Sequence, residues 1–599
     1  MLAGMMVCGP SQAETFRLEN GLEGGIDSIV SFGLAMRTSS SNCAFIGRDN
    51  GGCASTSQVP IAMNNPANFS QTYDASQLNA DNGNLNTGKG QVYSAQLKGV
   101  HDLYASQGQW SGFMRLSWFQ DFAVNRTKRT ALEPAAKSYA TSEVRLLDAY
   151  VDRQFEIASR SARVRFGNQV LSWGEDIFIP GGVNSTNAID LRKAHQPGIQ
   201  LKEIMKPAPM ISFSSSLANG IGFEAYYQWR WNAFDFDAPG TFFSTSDFLG
   251  RGGNALYLPS SAFGAATGSV GDNGTINSVT GTRLAMAQLA NPAINPLGFG
   301  TVLPASGNLS ARNSGQFGFA FRGRDSESEN EWGLYYLRYH DKIPFVNYRV
   351  NQATTSNPVG LGSFFFDYAQ DRDLFGISYN FKAGDWAMGL EGSYRPRDTV
   401  SIDPSIVINP ANPYYCNGDG NPANFRPTGY VCKGMVETKK YQFHLTGIHI
   451  MSPSGSLGWL MRSLGASEGM IMAEAAVAHY PELKLGAGIP YAITVDYAVP
   501  TKTSSGFVLS TSLNYPAILG TRVALLPDLT FFQGVSGISP TPLPGFIGGA
   551  GAMTLGFTFD FKTKPSTRAR VDYTRNYGGG LSNNLRDRDF MTMSLSTSF

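Results

Sequence analysis

Three features carry residue types that could do chemistry. Gly465-Ala466-Ser467-Glu468-Gly469 matches the G-x-S-x-G pattern of a serine nucleophile. That pattern works when a strand precedes the serine and a helix follows, so that the hydroxyl is lifted onto a sharp turn. Here the order is reversed, because helix-like SLGWLMRSLG comes first and the alternating MIMAEAAVAH follows. Turn residues at a joint between elements fit better. Asn417-Gly418-Asp419-Gly420-Asn421 offers oxygens at alternate positions, as calcium loops do, but no glutamate follows at the required spacing. The six histidines are His101, His195, His340, His444, His449 and His479. His444 and His449 share one alternating stretch at odd separation, so they point to opposite faces. No pair has metal-ligand spacing beside a carboxylate cluster. No catalytic residue, metal or cofactor is assigned, although a triad assembled across strands would leave no linear trace.

Four cysteines form two sequence-local pairs, Cys43 with Cys53 and Cys416 with Cys432, each in a Gly/Asn-rich stretch. Local pairs in an even count suit disulfides made in an oxidising compartment. Zinc fits worse, since neither pair has C-x-x-C spacing and no histidine is near.

The elements around these features are strands. GFEAYYQWRW sets Phe223, Ala225, Tyr227, Trp229 and Trp231 on one face, and Glu224, Tyr226, Gln228 and Arg230 on the other. WAMGLEGSYR, AMTLGFTFDF, RARVDYTRNY and the terminal DFMTMSLSTSF alternate in the same way, with charge almost confined to the second face. About eighteen such segments recur between residues 25 and 599, joined alternately by tight turns such as 382–385 and by long stretches such as 173–207 and 234–313. A soluble sandwich has no reason to put every long loop at one end, whereas an outer-membrane barrel does, with short periplasmic turns and long outer loops. Trp386 and Tyr394 face the same way and would stand about 20 Å apart along a tilted strand, near the spacing of two aromatic girdles.

Composition agrees. The 599 residues include 67 glycines and 12% aromatics, but only 16% charged residues and a net charge of +1. Globular chains average about 25% charged. Near-neutral balance disfavours a nucleic-acid partner. No run of 18 apolar residues is present, so a membrane assignment must be a barrel. The first residues, MLAGMMVCGPSQA, resemble a secretory leader ending at Ala13, without the usual basic start. The reading is therefore a leader over 1–13, truncated at its start, and one all-β domain over 14–599. That domain is a transmembrane antiparallel β-barrel of about 18 strands, whose last strand pairs with the first near Ile26–Met36.

Several stretches together resemble the domain-of-unknown-function family 1302 of Gram-negative outer-membrane proteins: LLDAYVDRQF, VRFGNQVLSWGEDIFIPGGVN, AIDLRKAHQPGIQLKEIMKPAPM, FFQGVSGISP and LRDRDFMTMSLSTSF. The resemblance implies an outer-membrane barrel, often encoded beside inner-membrane lipid or hydrophobe exporters of the resistance-nodulation-division type, and no enzyme. Phe599 likewise resembles the C-terminal aromatic read by the barrel-insertion machinery. Expected partners are that machinery, outer-membrane lipid and lipopolysaccharide, and such an exporter.

The expected function is a channel for a small or amphipathic hydrophobic solute. A barrel enzyme acting on lipid or peptide, or a plugged structural or adhesion barrel, are the alternatives. Arg163, Arg165, Glu224, Arg230, Glu391, Arg395, Asp560, Arg568, Arg570 and Asp572 are expected on the lumen face, since such charges would be prohibitive in a dry core unless paired. Opposite signs side by side predict a transverse field rather than a single-sign pore. The loop that begins at Trp173 and Glu175 and carries Asp190, Lys202 and Glu203 is expected to fold inward, because its apolar Ile177-Phe178-Ile179-Pro180 would be awkward in water.

Overall fold

Alternation with period two gives each strand one apolar and one polar face, and a sheet of such strands can satisfy every backbone group in lipid only by closing on itself. The computed structural model describes residues 14–599 apart from 48–49, 51, 54–78, 218–219, 254, 258–274, 277–282, 285–301, 326, 352–360, 403–425, 486–488, 490, 492–498, 519 and 542–544. The leader over 1–13, the Asn417–Asn421 turn and Cys416 lie outside the described residues.

Eighteen strands make the wall: β1 (Glu23–Arg37), β2 (Val92–Gln107), β3 (Trp110–Asp121), β4 (Ser142–Ile157), β5 (Arg160–Gln169), β6 (Ala208–Ser216), β7 (Gly222–Gln228), β8 (Gln316–Arg324) and β9 (Glu331–Tyr339), followed by β10 (Arg372–Ala383), β11 (Trp386–Ser401), β12 (Met435–Met451), β13 (Glu468–His479), β14 (Thr503–Asn514), β15 (Ala524–Ser536), β16 (Gly551–Asp560), β17 (Ser566–Tyr577) and β18 (Phe590–Ser598). Each is antiparallel to the next. β18 returns to β1 with Leu595 opposite Phe32 and Ser594 opposite Gly33. Ser28 and Phe599 exchange main-chain hydrogen bonds of 2.8 and 3.0 Å, so the terminal residue completes the seam. The barrel is closed.

Phe32, Leu34, Phe166, Ile377, Phe443 and Leu595 are exposed on the outer face, which forms an apolar belt. At the start and in the middle of β11, Trp386 stacks on His449 at 5.0 Å and Tyr394 on Tyr441 at 4.8 Å. His444, on the other face of β12, points inward. No helix among the described residues is long and apolar enough to cross a membrane.

Long connections collect at one end and turns at the other. The exception at the turn end is 452–467, where a helix over Gly458–Leu464 stops at Gly465 in the left-handed conformation (φ 67°). Ser467 follows, and its hydroxyl donates to the Asn514 carbonyl at 2.9 Å, as a turn residue would. At the loop end, Cys43 and Cys53 form a disulfide with Cα atoms 5.1 Å apart. Cys432 is also disulfide-bonded.

One strand is shorter than its alternation suggested. β7 ends at Gln228, not at Trp231, because the Gln228 side-chain amide donates to the Arg230 carbonyl at 2.7 Å and turns the chain. Trp229 then stacks on Phe166 at 4.8 Å. Arg230 is exposed in the loop and is not on the barrel wall.

Candidate functional site

The loop over 170–207 crosses the lumen. It is anchored first on its own side, where buried Trp173 donates from Nε1 to Glu224 at 2.7 Å and packs edge-on to Tyr226. It then reaches the far wall. Glu391 on β11 accepts the Glu175 amide on one carboxylate oxygen and the Val183 amide on the other, both at 2.7 Å. Gly174 and Gly182 allow this approach, since a Cβ at either would lie 2.2 or 2.1 Å from a Glu391 oxygen.

Between those two bonds, one oxygen of Glu474 on β13 accepts three successive amides, from Ile177, Phe178 and Ile179, at 3.1, 2.5 and 3.0 Å. The other oxygen lies 2.7 Å from His444 Nδ1. Gln442 donates from Nε2 to the Pro180 carbonyl at 3.2 Å, and the same nitrogen is 2.8 Å from His444 Nε2. His444 therefore accepts at Nε2 and gives its Nδ1 proton to Glu474. Arg395 completes the clamp, donating to the Gly181 and Gly182 carbonyls and to Ser185, each at 2.8 Å, and to the Tyr339 hydroxyl at 2.9 Å. Hydrogen bonds to a charged partner contribute about 1.5–3 kcal/mol each in a buried site, so the crossing segment is held firmly. Asp176 sits between these carboxylates, and burial, then Glu391 and Glu474, holds its own carboxyl well above the usual range. Burial also raises Glu175.

The loop then returns to the opposite wall. Asp190, fully buried, accepts the Lys193 amide at 3.0 Å and pairs with Arg145 and Arg192 at 3.1 Å. Lys202 reaches Asp102 at 2.9 Å and Glu203 reaches Lys98 at 3.1 Å. Asp235, from the next long loop, joins Arg145 and Lys206 at 2.8 Å.

On the wall, Arg163 and Arg165 both grip Asp152, at 2.5 and 2.7 Å. Arg570 sits between Asp528 and Asp572, at 2.7 and 2.5 Å, and Arg568 meets Asp560 at 3.2 Å. Each of these basic groups has an acid on its own or the next strand, so the charges cancel locally. Arg230 takes no part.

Residue reading missed Glu474, His444, Lys98, Asp102 and Arg145. For Glu474 a signal existed: it is the one charge in the middle of a strand face, flanked there by Met470, Met472, Ala476 and Ala478. For Lys98, Asp102 and Arg145, whose partners lie on a returning loop, none did.

Two of the cavities beside the loop adjoin each other. One, of about 220 Å³, is apolar and lies between Phe178, Ile179 and Leu201 of the loop and Val508, Phe532 and Phe546 of the wall and its outer loop. The other, of about 150 Å³, is charged and includes Lys342, Lys440, Arg395, Asp341 and Asp398. Pro180, Ile189 and Leu191 line both. Among the described residues no group of three or more His, Cys, Asp and Glu side chains could hold a metal ion.

A closed barrel with an apolar belt outside and paired charges within is a transmembrane β-barrel of the outer-membrane type. The chain belongs to the family described as "Protein of unknown function (DUF1302)", whose model matches residues 1–599. No curated protein matches it. Among solved structures it is similar to Acinetobacter baumannii OccAB1, at 9% identity and TM-score 0.40, with 98% of each chain covered. It is also similar to Pseudomonas aeruginosa opdK, at 8% identity and TM-score 0.39, covering 96% of this chain and 98% of that one. The Acinetobacter baumannii outer-membrane channel DcaP follows at 7% and 0.33, covering 98% and 99%. Likenesses this distant carry no functional argument.

Proposed function

We propose that the protein is an outer-membrane transport barrel that passes a small amphipathic, largely hydrophobic solute past a gating loop, residues 170–207. The observation that carries this reading is the apolar cavity of about 220 Å³ between the crossing loop and the wall, in a lumen that also holds many ion pairs. A pore for water and ions has no use for such a chamber, whereas a solute with an apolar body does. A cavity of about 150 Å³ accepts benzene, so this one suits a somewhat larger apolar group. Coupling to an inner-membrane exporter belongs to the same reading and is supported by the family resemblance alone. The test is reconstitution in liposomes, comparing entry of a fluorescent amphiphile with ion conductance. Substantial conductance without amphiphile passage would reject the reading.

A hydrolase reading has one observation in its favour. On the outer face, Ser28 Oγ lies 2.9 Å from His101 Nδ1. The chemistry runs the wrong way, however. Trp118 Nε1 lies 2.9 Å from His101 Nε2, and an indole N–H can only donate. The histidine therefore carries its proton on Nδ1 and donates to the serine instead of taking its proton. Labelling of Ser28 by a fluorophosphonate would favour the hydrolase.

A further inference from the structure

The charged cavity holds a cation that the clamp does not use. Lys342, just past the end of β9, is 5% exposed and lines the cavity. Among the described residues its ammonium makes one hydrogen bond, to the Asn232 carbonyl at 3.5 Å, the outer limit for such a bond. No carboxylate among the described residues lies within ion-pairing distance of it. The neighbouring charges are otherwise engaged. Lys206 is held by Asp235 at 2.8 Å, Asp341 stands 4.0 Å from Arg372, and Asp398 stands 3.8 Å from Lys440 and 4.0 Å from Arg395. An ammonium taken out of water without a partner costs several kcal/mol, and a protein relieves this by losing the proton or by admitting an anion. Consistent with that tension, burial and then Lys206 push the Lys342 ammonium down to about 7.

We propose that this cavity is an anion site, in which Lys342 Nζ donates to the carboxylate head of an amphiphile whose apolar body occupies the adjoining cavity beyond Pro180, Ile189 and Leu191. The inference rests on the transport reading and names its substrate class. The apolar chamber alone would not discriminate an acid from an alcohol of the same length. Lys342 supplies the discrimination, because an alcohol head leaves the ammonium unpaired. Lys440 stands across the same cavity, 5.6 Å from the Tyr480 ring centroid, and adds to the positive field.

The test measures binding to the full barrel in nanodiscs, with empty nanodiscs subtracted, for octanoate, 1-octanol and acetate at pH 6. Octanoate should bind at least tenfold more tightly than 1-octanol, and acetate only weakly. Lys342→Met should remove the difference by weakening octanoate about tenfold while 1-octanol stays within twofold, which also shows that the variant is folded. Lys342→Arg should keep the preference. A preference that survives Lys342→Met, or equal binding of acid and alcohol to the unaltered protein, would overturn the site while leaving the transport reading standing. Binding of neither octanoate nor 1-octanol would sink both. Acetate as tight as octanoate would reduce the site to one for free small anions and overturn the amphiphile.

Discussion

The carboxylate of Glu474 and the amide of Ile179, 295 residues apart in the chain, meet inside the lumen at 3.0 Å. With the amides of Ile177 and Phe178 on the same oxygen and His444 on the other, that contact fixes where the crossing loop touches the far wall.

Glu474→Gln keeps the size of this group and removes its charge. Each amide bond falls from charge-assisted to neutral strength, on the order of 1 kcal/mol apiece. The docked loop should open more often, raising mean conductance in planar bilayers several-fold, with the barrel still resistant to unfolding in cold detergent. Unchanged conductance would show that the clamp does not hold the gate.

Asp176 gives the opposite effect. Its carboxyl is raised in the docked state, so the docked loop binds more protons than the released one. Docking therefore weakens as pH climbs from the ordinary carboxylate value, about 3.9, towards the raised one. The groups facing it are Glu175, Glu391 and Glu474, with His444 and Arg395 beyond. Opening events should be more frequent at pH 8 than at pH 5, and Asp176→Asn should flatten that dependence and lower conductance at pH 8. A variant with an unaltered pH profile would exclude Asp176 as its source.

Topology is open to a direct check. An epitope placed at Gly429, on a long-loop connection, should be reached by antibody on intact cells, and one at Gly384, in a two-residue turn, should require permeabilised cells. Reversed labelling would invert the orientation.

The Cys43–Cys53 bridge closes a short outer loop, with a sequence separation of 10. On the chain-entropy estimate such closure contributes about 3 kcal/mol. Replacing both cysteines with serine should speed proteolysis between residues 38 and 91 and leave the thermal transition of the barrel within a few degrees. A collapse of barrel stability would mean that the bridge serves the wall.

Arg230 and Arg570 should now behave differently. Arg230→Ser should leave ion selectivity unchanged, since the residue is off the wall. Arg570→Ser leaves Asp528 and Asp572 without their shared arginine and should shift reversal potentials towards cation preference. Equal effects of the two would show that the mouth, and not the wall, sets selectivity.

Strand identity, strand face and the closing role of DFMTMSLSTSF are legible in the sequence because alternation is local. Whether Leu595 faces out depends on its neighbours Ser594 and Ser596, and the apolar set has nowhere to go but lipid. Even there the local pattern overran once: Trp229 and Trp231 continue the alternation, yet Gln228 bonds to the Arg230 carbonyl and ends the strand. The apolar Ile177–Pro180 stretch likewise announces that it will not sit in water. Its destination is another matter. That Glu474 takes its amides, that Glu391 fits only beside Gly174 and Gly182, and that Lys342 is left without an acid all depend on which strands face each other across the closed bore and on the path of one loop between them. Those distances are set by closure of the whole ring, so no window of neighbouring residues contains them.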